Sequence, residues 1–301
     1  MKKMKLAMTV ATILILVGGI VFTSAMSAHG WDFSKLTTVE YESKTYVIEE
    51  SIDNISVITD TADVIFVKST DEKIKVETYL PKDDKHTVEI RENTLTVKRE
   101  SNFNWSEFFR INFKSAKITI YLPEGEYGSL NIKADTSNVN ISDVFTFYTV
   151  YIKVSTGDVK FNASATEYLK IRSSTGDVSV KDITTGDIDI ATSTGDIKLT
   201  NVVCSGSLKA EMSTGDIKLK NVIATEKFNI RCGTGDVEFE RSDAAEIFAR
   251  TDTGDVKGTL LSEKIFIARS DTGDVDVPKT TTGGKCELIT NTGDIKIKIA
   301  K

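Results

Sequence analysis

Apolar and polar residues alternate along most of this chain, and the alternation breaks at a fixed interval. With the Asp of Thr-Gly-Asp as marker, the series runs Asp158, Asp177, Asp196, Asp216, Asp236, Asp255, Asp274, Asp294, in steps of 19 or 20. Asn138, in ADTSNVNI, and Asp63, in ISVITDTADVIFV, align with the same pattern upstream. Eight residues before the marker stand Ile55, Leu130, Val150, Leu169, Ile188, Leu208, Phe228, Ile247, Phe266 and Cys286, all apolar. Six before it, every copy is again apolar, and one after it every copy is Val or Ile. Three after it, Gly258 is the exception in an apolar column. Two after it the residues are mostly polar, with Lys160, Lys198, Lys218, Lys257 and Lys296 among them.

Period-two alternation on both sides of a corner predicts half-buried strands. A repeat of 19 or 20 residues is too short for a pair of helices and suits one coil of a β-solenoid. The pattern therefore predicts an all-β, parallel β-solenoid with one coil per repeat. At the spacing of stacked strands, the nine sites from Asn138 to Asp294 would extend about 40 Å. A ninth Thr-Gly-Asp, ending at Asp187, falls out of register, where Ser205-Gly206-Ser207 and Gly283-Gly284-Lys285 stand in other coils. That place is predicted to be a second corner. Apolar residues six after the marker (Val144, Ile183, Val202, Val222, Leu261) suggest a further bend. Two-sided and three-sided coils both stay open.

The region before residue 129 is strand-rich too, in KIKVETYL, HTVEI, TLTVK and AKITIYLP. It reads as an irregular start of the solenoid or as a capping β-domain. The segment 101–116, SNFNWSEFFRINFKSA, interrupts it with four Phe and one Trp. We read it as an insertion that packs as a cap, with exposure for binding as the alternative.

The N-terminus sets the compartment. Lys2, Lys3 and Lys5 precede an uncharged run from Leu6 to Ala28, long enough to span a bilayer. The basic flank places the short N-terminus in the cytoplasm and everything after Trp31 outside. Trp31 and Phe33 suit the outer interface. A cleaved signal peptide, cut near Ala25 and Ser27, is the rival and would make the protein secreted. The run is long for a signal peptide, which favours a retained anchor. The domains are then 1–30 as anchor or signal, 31–128 as a strand-rich region, and 129–301 as the repeat.

With these residues in view, the chain resembles a bacterial putative-adhesin family that carries serial STGDI or STGDV repeats. The resemblance rests on residues 129–301 and on ISVITDTADVIFV and KITIYLPEG upstream. It implies a β-solenoid exposed at the cell envelope, in some members linked to envelope stress. It supplies no catalytic residues.

Composition removes several function classes. The net charge of −6 argues against nucleic acid as partner. Cys204, Cys232 and Cys286 are far apart with no CxxC or Cys/His cluster, so neither zinc nor a disulfide framework is expected. Cys232 and Cys286 fall on inward registers and read as core thiols. With only His29 and His86, no Ser-His-Asp or Cys-His partnership can be assembled from the pattern, so the chain is not read as an enzyme. A carbohydrate-active β-helix enzyme is the alternative from another class. No cofactor is expected. The aspartates Asp158, Asp177, Asp196, Asp216, Asp236, Asp255, Asp274 and Asp294 read as structural corners, with Gly supplying positive φ and Lys two residues on supplying opposite charge. A calcium ladder is the lesser reading, because most coils have one Asp at one corner.

Five residues before the marker, Arg172, Arg231, Arg250 and Arg269, with Lys133 and Lys153, form an outward basic row. Guanidinium groups match phosphate, so this row is the candidate anion-binding face. Asp252 and Asp271 are near enough in sequence to pair with it. The expected partners are the membrane through the N-terminal helix and an anionic cell-wall polymer, a lipid or a peptide. Ile295, Ile297 and Ile299 read as the last strand, an edge where end-to-end self-association could occur. The function expected is a membrane-anchored extracytoplasmic scaffold, adhesin-like or binding module. An envelope-stress sensor or regulator that binds a peptide or lipid is a further alternative.

Overall fold

The structure, a computed structural model, describes residues 2–28, 30–31, 39–100, 115–142 and 144–300. One helix, Lys2–Ala28, precedes strands that account for most of the chain. Within the helix, Met8–Ala28 is 21 residues long and apolar enough to cross a membrane, with Ile13, Leu14, Ile15 and Leu16 all exposed. At 1.5 Å per residue it spans about 31 Å, close to the thickness of a bilayer's hydrocarbon core. This helix belongs to one compact unit, and the strands from Ser43 onward belong, with few exceptions, to a second.

The second unit contains a parallel β-solenoid of about nine turns. Each regular coil contributes to three parallel ladders. The first arm approaches Thr-Gly-Asp, as where Leu208–Thr214 pairs Leu208 with Phe228 and Ala210 with Ile230. The second leaves it, pairing Ile197 with Ile217 and Leu199 with Leu219. The third pairs Ile183 with Val202 and Val202 with Val222. The coil is thus three-sided. Asp182, Asn201, Asn221 and Arg241 adopt positive φ (57°, 53°, 51° and 48°) five residues after the marker and turn the second arm into the third. That extra residue shifts the inward phase, so that Ile197, Leu199, Val202 and Cys204 all face the core. Asn201 Nδ2 donates to Asp182 Oδ1 at 2.6 Å and Asn221 Nδ2 to Asn201 Oδ1 at 2.9 Å, a side-chain ladder along this bend.

The order of coils in space differs from their order in sequence at both ends. Gly284–Thr292 lies between two earlier strands: Cys286 pairs with Ile247 on one side and with Phe266 on the other. The terminal coil is therefore formed by Lys264–Thr272 and Val275–Asp276, which cover Gly284–Thr292 and, of the strand Ile295–Ile299, Ile295 and Lys296. This corrects in part the expectation that Ile295, Ile297 and Ile299 form the open edge: Ile295 is covered by Val275, while, among the described residues, Ile297 and Ile299 pair only with Gly258 and Leu260. At the other end, Asn54–Thr59 lies between Leu130 and its neighbours and the strand Thr94–Arg99, in register Leu95, Ile55, Leu130. Asp63–Lys68 lies likewise between Lys117–Leu122 and Val139–Ile141.

So the regular stack begins well before residue 129. Thr94–Arg99 and Lys117–Leu122 are the two arms of one coil. Residues 101–114 of the segment 101–116 lie outside the described residues, as do Phe33 and His29. Two antiparallel strands then cross this end: His86–Arg91 pairs with Thr94–Arg99, and Ile74–Pro81 with Lys117–Leu122. The core is the set of inward columns. Leu95, Ile55, Leu130, Val150, Leu169, Ile188, Leu208, Phe228, Ile247 and Cys286 are stacked and all buried. Stacked buried side chains of this size each contribute roughly 1.5–3 kcal/mol gross.

Candidate functional site

Two features repeat along the solenoid: the Thr-Gly-Asp corner, and an outward face carrying the Arg residues. At the corner, the carboxylate of one coil accepts the backbone N–H of the next. Asp177 N donates to Asp158 Oδ1 at 2.9 Å, Asp196 N to Asp177 Oδ1 at 2.8 Å, and Asp216 N to Asp196 Oδ1 at 3.0 Å. The series continues through Asp236 and Asp255 to Asp294 and then Asp274, following the spatial order of the coils. Asn138 and Asp63 extend it at the other end through the same acceptor geometry. A charged acceptor on a backbone N–H is worth more than a neutral one. The off-register copy works alike: Asp187 Oδ1 accepts Ser207 N at 2.6 Å at the other corner.

The glycine of the tripeptide is demanded twice. Gly235 has φ 136°, and a Cβ there would stand 1.8 Å from the carbonyl oxygen of Gly215. A column four residues before the marker, unnoticed in the sequence pattern, completes the corner. Thr251 Oγ1 donates to Gly235 O at 2.8 Å, Thr290 Oγ1 to Gly254 O at 2.9 Å and Ser270 Oγ to Gly293 O at 2.8 Å. Lysines neutralise the corner: Lys198 lies 3.0 Å from Asp196, Lys218 3.4 Å from Asp216 and Lys257 2.6 Å from Asp236. Burial pushes the Asp236 carboxyl up, but the Asp255 N–H and Lys257 outweigh it and hold it below its ordinary value. Asp196 is held low by the same balance, with the Asp216 N–H and Lys198 opposing burial.

The Arg residues do not form one continuous row. Arg231 pairs in register with Arg250, but Ile289 stands between Arg250 and Arg269, because the last coil is inserted there. Arg172 bonds Asp189, Arg250 bonds Asp252 at 2.8 Å, and Arg269 bonds Asp271 at 2.7 Å. Arg231 is the exception. Among the described residues, the one acid within ion-pair distance of it is Glu211, at 4.0 Å, and the Arg231 guanidinium sits over the Phe248 ring at 4.7 Å from the centroid. It lines a groove of about 210 Å³ with Lys227, Asn229, Glu246, Phe248 and Lys285, and with Glu287, which pairs with Lys285 at 2.7 Å. Asn229 Oδ1 there is buried without a partner. Lys227, Phe248 and Lys285 were missed in the sequence because they lie seven and nine residues before the marker, in columns of mixed chemistry.

The structure also brings together a hydroxyl, an imidazole and a carboxylate. Thr59 Oγ1 is 3.3 Å from His86 Nε2, and His86 Nδ1 is 3.9 Å from Asp84. The second distance is no hydrogen bond. Thr59 is 2% exposed and the His86 side chain 1%, so a substrate carbonyl could not reach the hydroxyl. Arg99 ties the group to the corner by bonding Asp84 and Asp60. Burial pushes the His86 imidazole below its ordinary value, against the attraction of Asp84. Burial likewise pushes the Cys204 and Cys286 thiols up to about 12, which makes both poor nucleophiles.

These features match a known family. The chain belongs to the Toastrack DUF4097 family, whose model matches residues 52–222 and 207–301. A putative adhesin from Bacteroides fragilis has a similar fold, at 20% identity and a TM-score of 0.50 over 86% of this chain and 97% of that one. A putative adhesin from Parabacteroides merdae aligns with a TM-score of 0.55 at 13% identity, over 87% of this chain and 98% of that one. A putative lipid binding protein from Parabacteroides distasonis aligns with a TM-score of 0.52 at 14% identity, over 87% and 98%. At these identities the likeness is one of fold. No curated protein matches the chain.

Proposed function

We propose that this protein is a non-enzymatic binding module, held at the membrane by its N-terminal helix with the solenoid outside the cell. Its binding face is the groove around Arg231, and the ligand group it takes is a phosphate. The observation that carries this reading is the state of Arg231. Three of the four arginines are committed to an acid within 2.8 Å or closer, whereas Arg231 keeps its fork free above an aromatic ring. A guanidinium held flat by an aromatic face is pre-set for a bidentate anion. Lys227 and Lys285 add two further cations to the groove, against Glu246 and Glu287 on its lining and Glu211 beside Arg231. The similar folds described as adhesins and as a lipid binding protein agree with a binding role.

Phosphate occurs both in envelope polymers and in lipid headgroups, and two probes separate these sources. Full-length protein in a neutral detergent is titrated with long-chain inorganic polyphosphate and with dihexanoyl-phosphatidylglycerol. Arg231→Glu should weaken binding of the favoured probe at least about tenfold, the loss of one charge-assisted contact turned into repulsion. Arg250→Glu, whose wild-type residue is already held by Asp252, should change it less than about threefold. Equal losses in both variants, or no binding of either probe, would overturn the proposal.

A further inference from the structure

We infer that the terminal coil, Lys264–Asp276, is a self-association surface, and that its occupant is a second copy of this chain in a closed two-fold pair. Among the described residues, the strand Lys264–Thr272 pairs on one side only, with Gly284–Thr292. Its outer backbone groups are therefore those of an edge. The side chains around it are unusually apolar for a surface. Ile265 is 47% exposed, Ile267 52% and Val275 43%. Phe266 and Ala268, which sit in the inward columns that every interior coil buries, are only half-buried here. The coil is thus built like an interior one but has nothing stacked on its outer side among the described residues.

The two ends of the stack differ, and this selects the partner. At the opposite end the antiparallel strands His86–Arg91 and Ile74–Pro81 lie across the coils, so the parallel stack cannot be continued there. Head-to-tail growth into a filament is thereby blocked, and pairing of like ends remains. Pairing of like ends is isologous and closes at two copies. A two-fold axis perpendicular to the stack makes the two edge strands antiparallel. Passing through the middle of the strand, it places Ala268 opposite itself and keeps the corners of the two three-sided coils aligned. Phe266 then faces Ser270, Ile267 faces Arg269 and Ile265 faces Asp271. No like charges are opposed in this register. Lys264 is withdrawn from the edge, with its ammonium 2.7 Å from Asp243 and its carbonyl accepting Thr280 Oγ1 at 2.5 Å. The seven residues from Ile265 to Asp271 remain to pair.

The test is disulfide trapping of the full-length protein in detergent. Ala268→Cys should give a covalent dimer on mild oxidation. Tyr148→Cys, exposed on the flank of the solenoid, should give at least about tenfold less, because only the first is positioned by an interface. The three native cysteines are buried and contribute little background. Adding Ile267→Lys to the Ala268→Cys chain places a charge in the edge and should abolish most of the trapping. Circular dichroism should confirm that each variant keeps its strand content. Equal trapping at Ala268→Cys and Tyr148→Cys, or trapping unaffected by Ile267→Lys, would overturn the proposal.

Discussion

Asp236 shows what the tripeptide does residue by residue. Its carboxylate accepts the N–H of Asp255, while its own N–H is given to Asp216, so each Asp is both donor and acceptor in one ladder. The glycine before it has no alternative. In Gly235→Ala the new methyl would meet a backbone carbonyl at 1.8 Å and the backbone would sit at φ 136°. The expected cost is at least about 2 kcal/mol, read as a lower urea midpoint with an unchanged slope. His86 offers a second test at this scale. Its pKa is depressed in the folded state, so unfolding takes up a proton as pH falls below its ordinary value of 6.5. The stability it contributes is complete above that pH and declines below it, by no more than about 1.4 kcal/mol per unit. Its ring resonances should titrate with a midpoint below 6.5; a midpoint at or above 6.5 would show a charged, solvated ring.

At the scale of elements, the inserted last coil is held by a buried ion pair. Lys264 and Asp243 are 2.7 Å apart and nearly inaccessible, although their strands are not neighbours. Gly284 stands opposite Lys264 on the intervening strand, where a Cβ would stand 1.8 Å from the carbonyl oxygen of Ala245. Removing one partner of such a pair leaves the other buried and uncompensated, at a cost of about 3–5 kcal/mol. In Lys264→Met, amide exchange should therefore accelerate in 264–276 and 284–299 and stay unchanged near residue 170. Uniform acceleration along the chain would mean that the pair does not act locally. This insertion was not legible in the sequence. Phe266 and Cys286 occupy the same column with the same apolar character, so the pattern cannot say which coil is outermost. The inward columns were legible because every coil buries the same positions. The bend at Asp182, Asn201 and Asn221 was half legible, as an apolar residue just beyond it without the positive φ that makes the turn. The groove was not legible, because Lys227, Phe248 and Lys285 stand in columns of mixed chemistry and meet only across coils.

For the whole molecule, the consequence is a division of labour. The repeated corner holds coils together and its acids are engaged by backbone N–H groups and by lysines. The variable outward face is where chemistry can differ from coil to coil, and it does so at Arg231, where pairing is loosest. On the proposed function, the helix Lys2–Ala28 supplies the membrane anchor and the solenoid the binding face. The most direct test of this account compares groove with corner in the full-length protein, using the phosphate probe that binds. Lys227→Glu with Arg231→Glu should abolish binding and leave the thermal midpoint nearly unchanged. Asp158→Ala should lower the thermal midpoint and leave binding intact at temperatures where the variant is folded. A folded Asp158→Ala protein that has lost binding, with the groove variant still binding, would contradict the account.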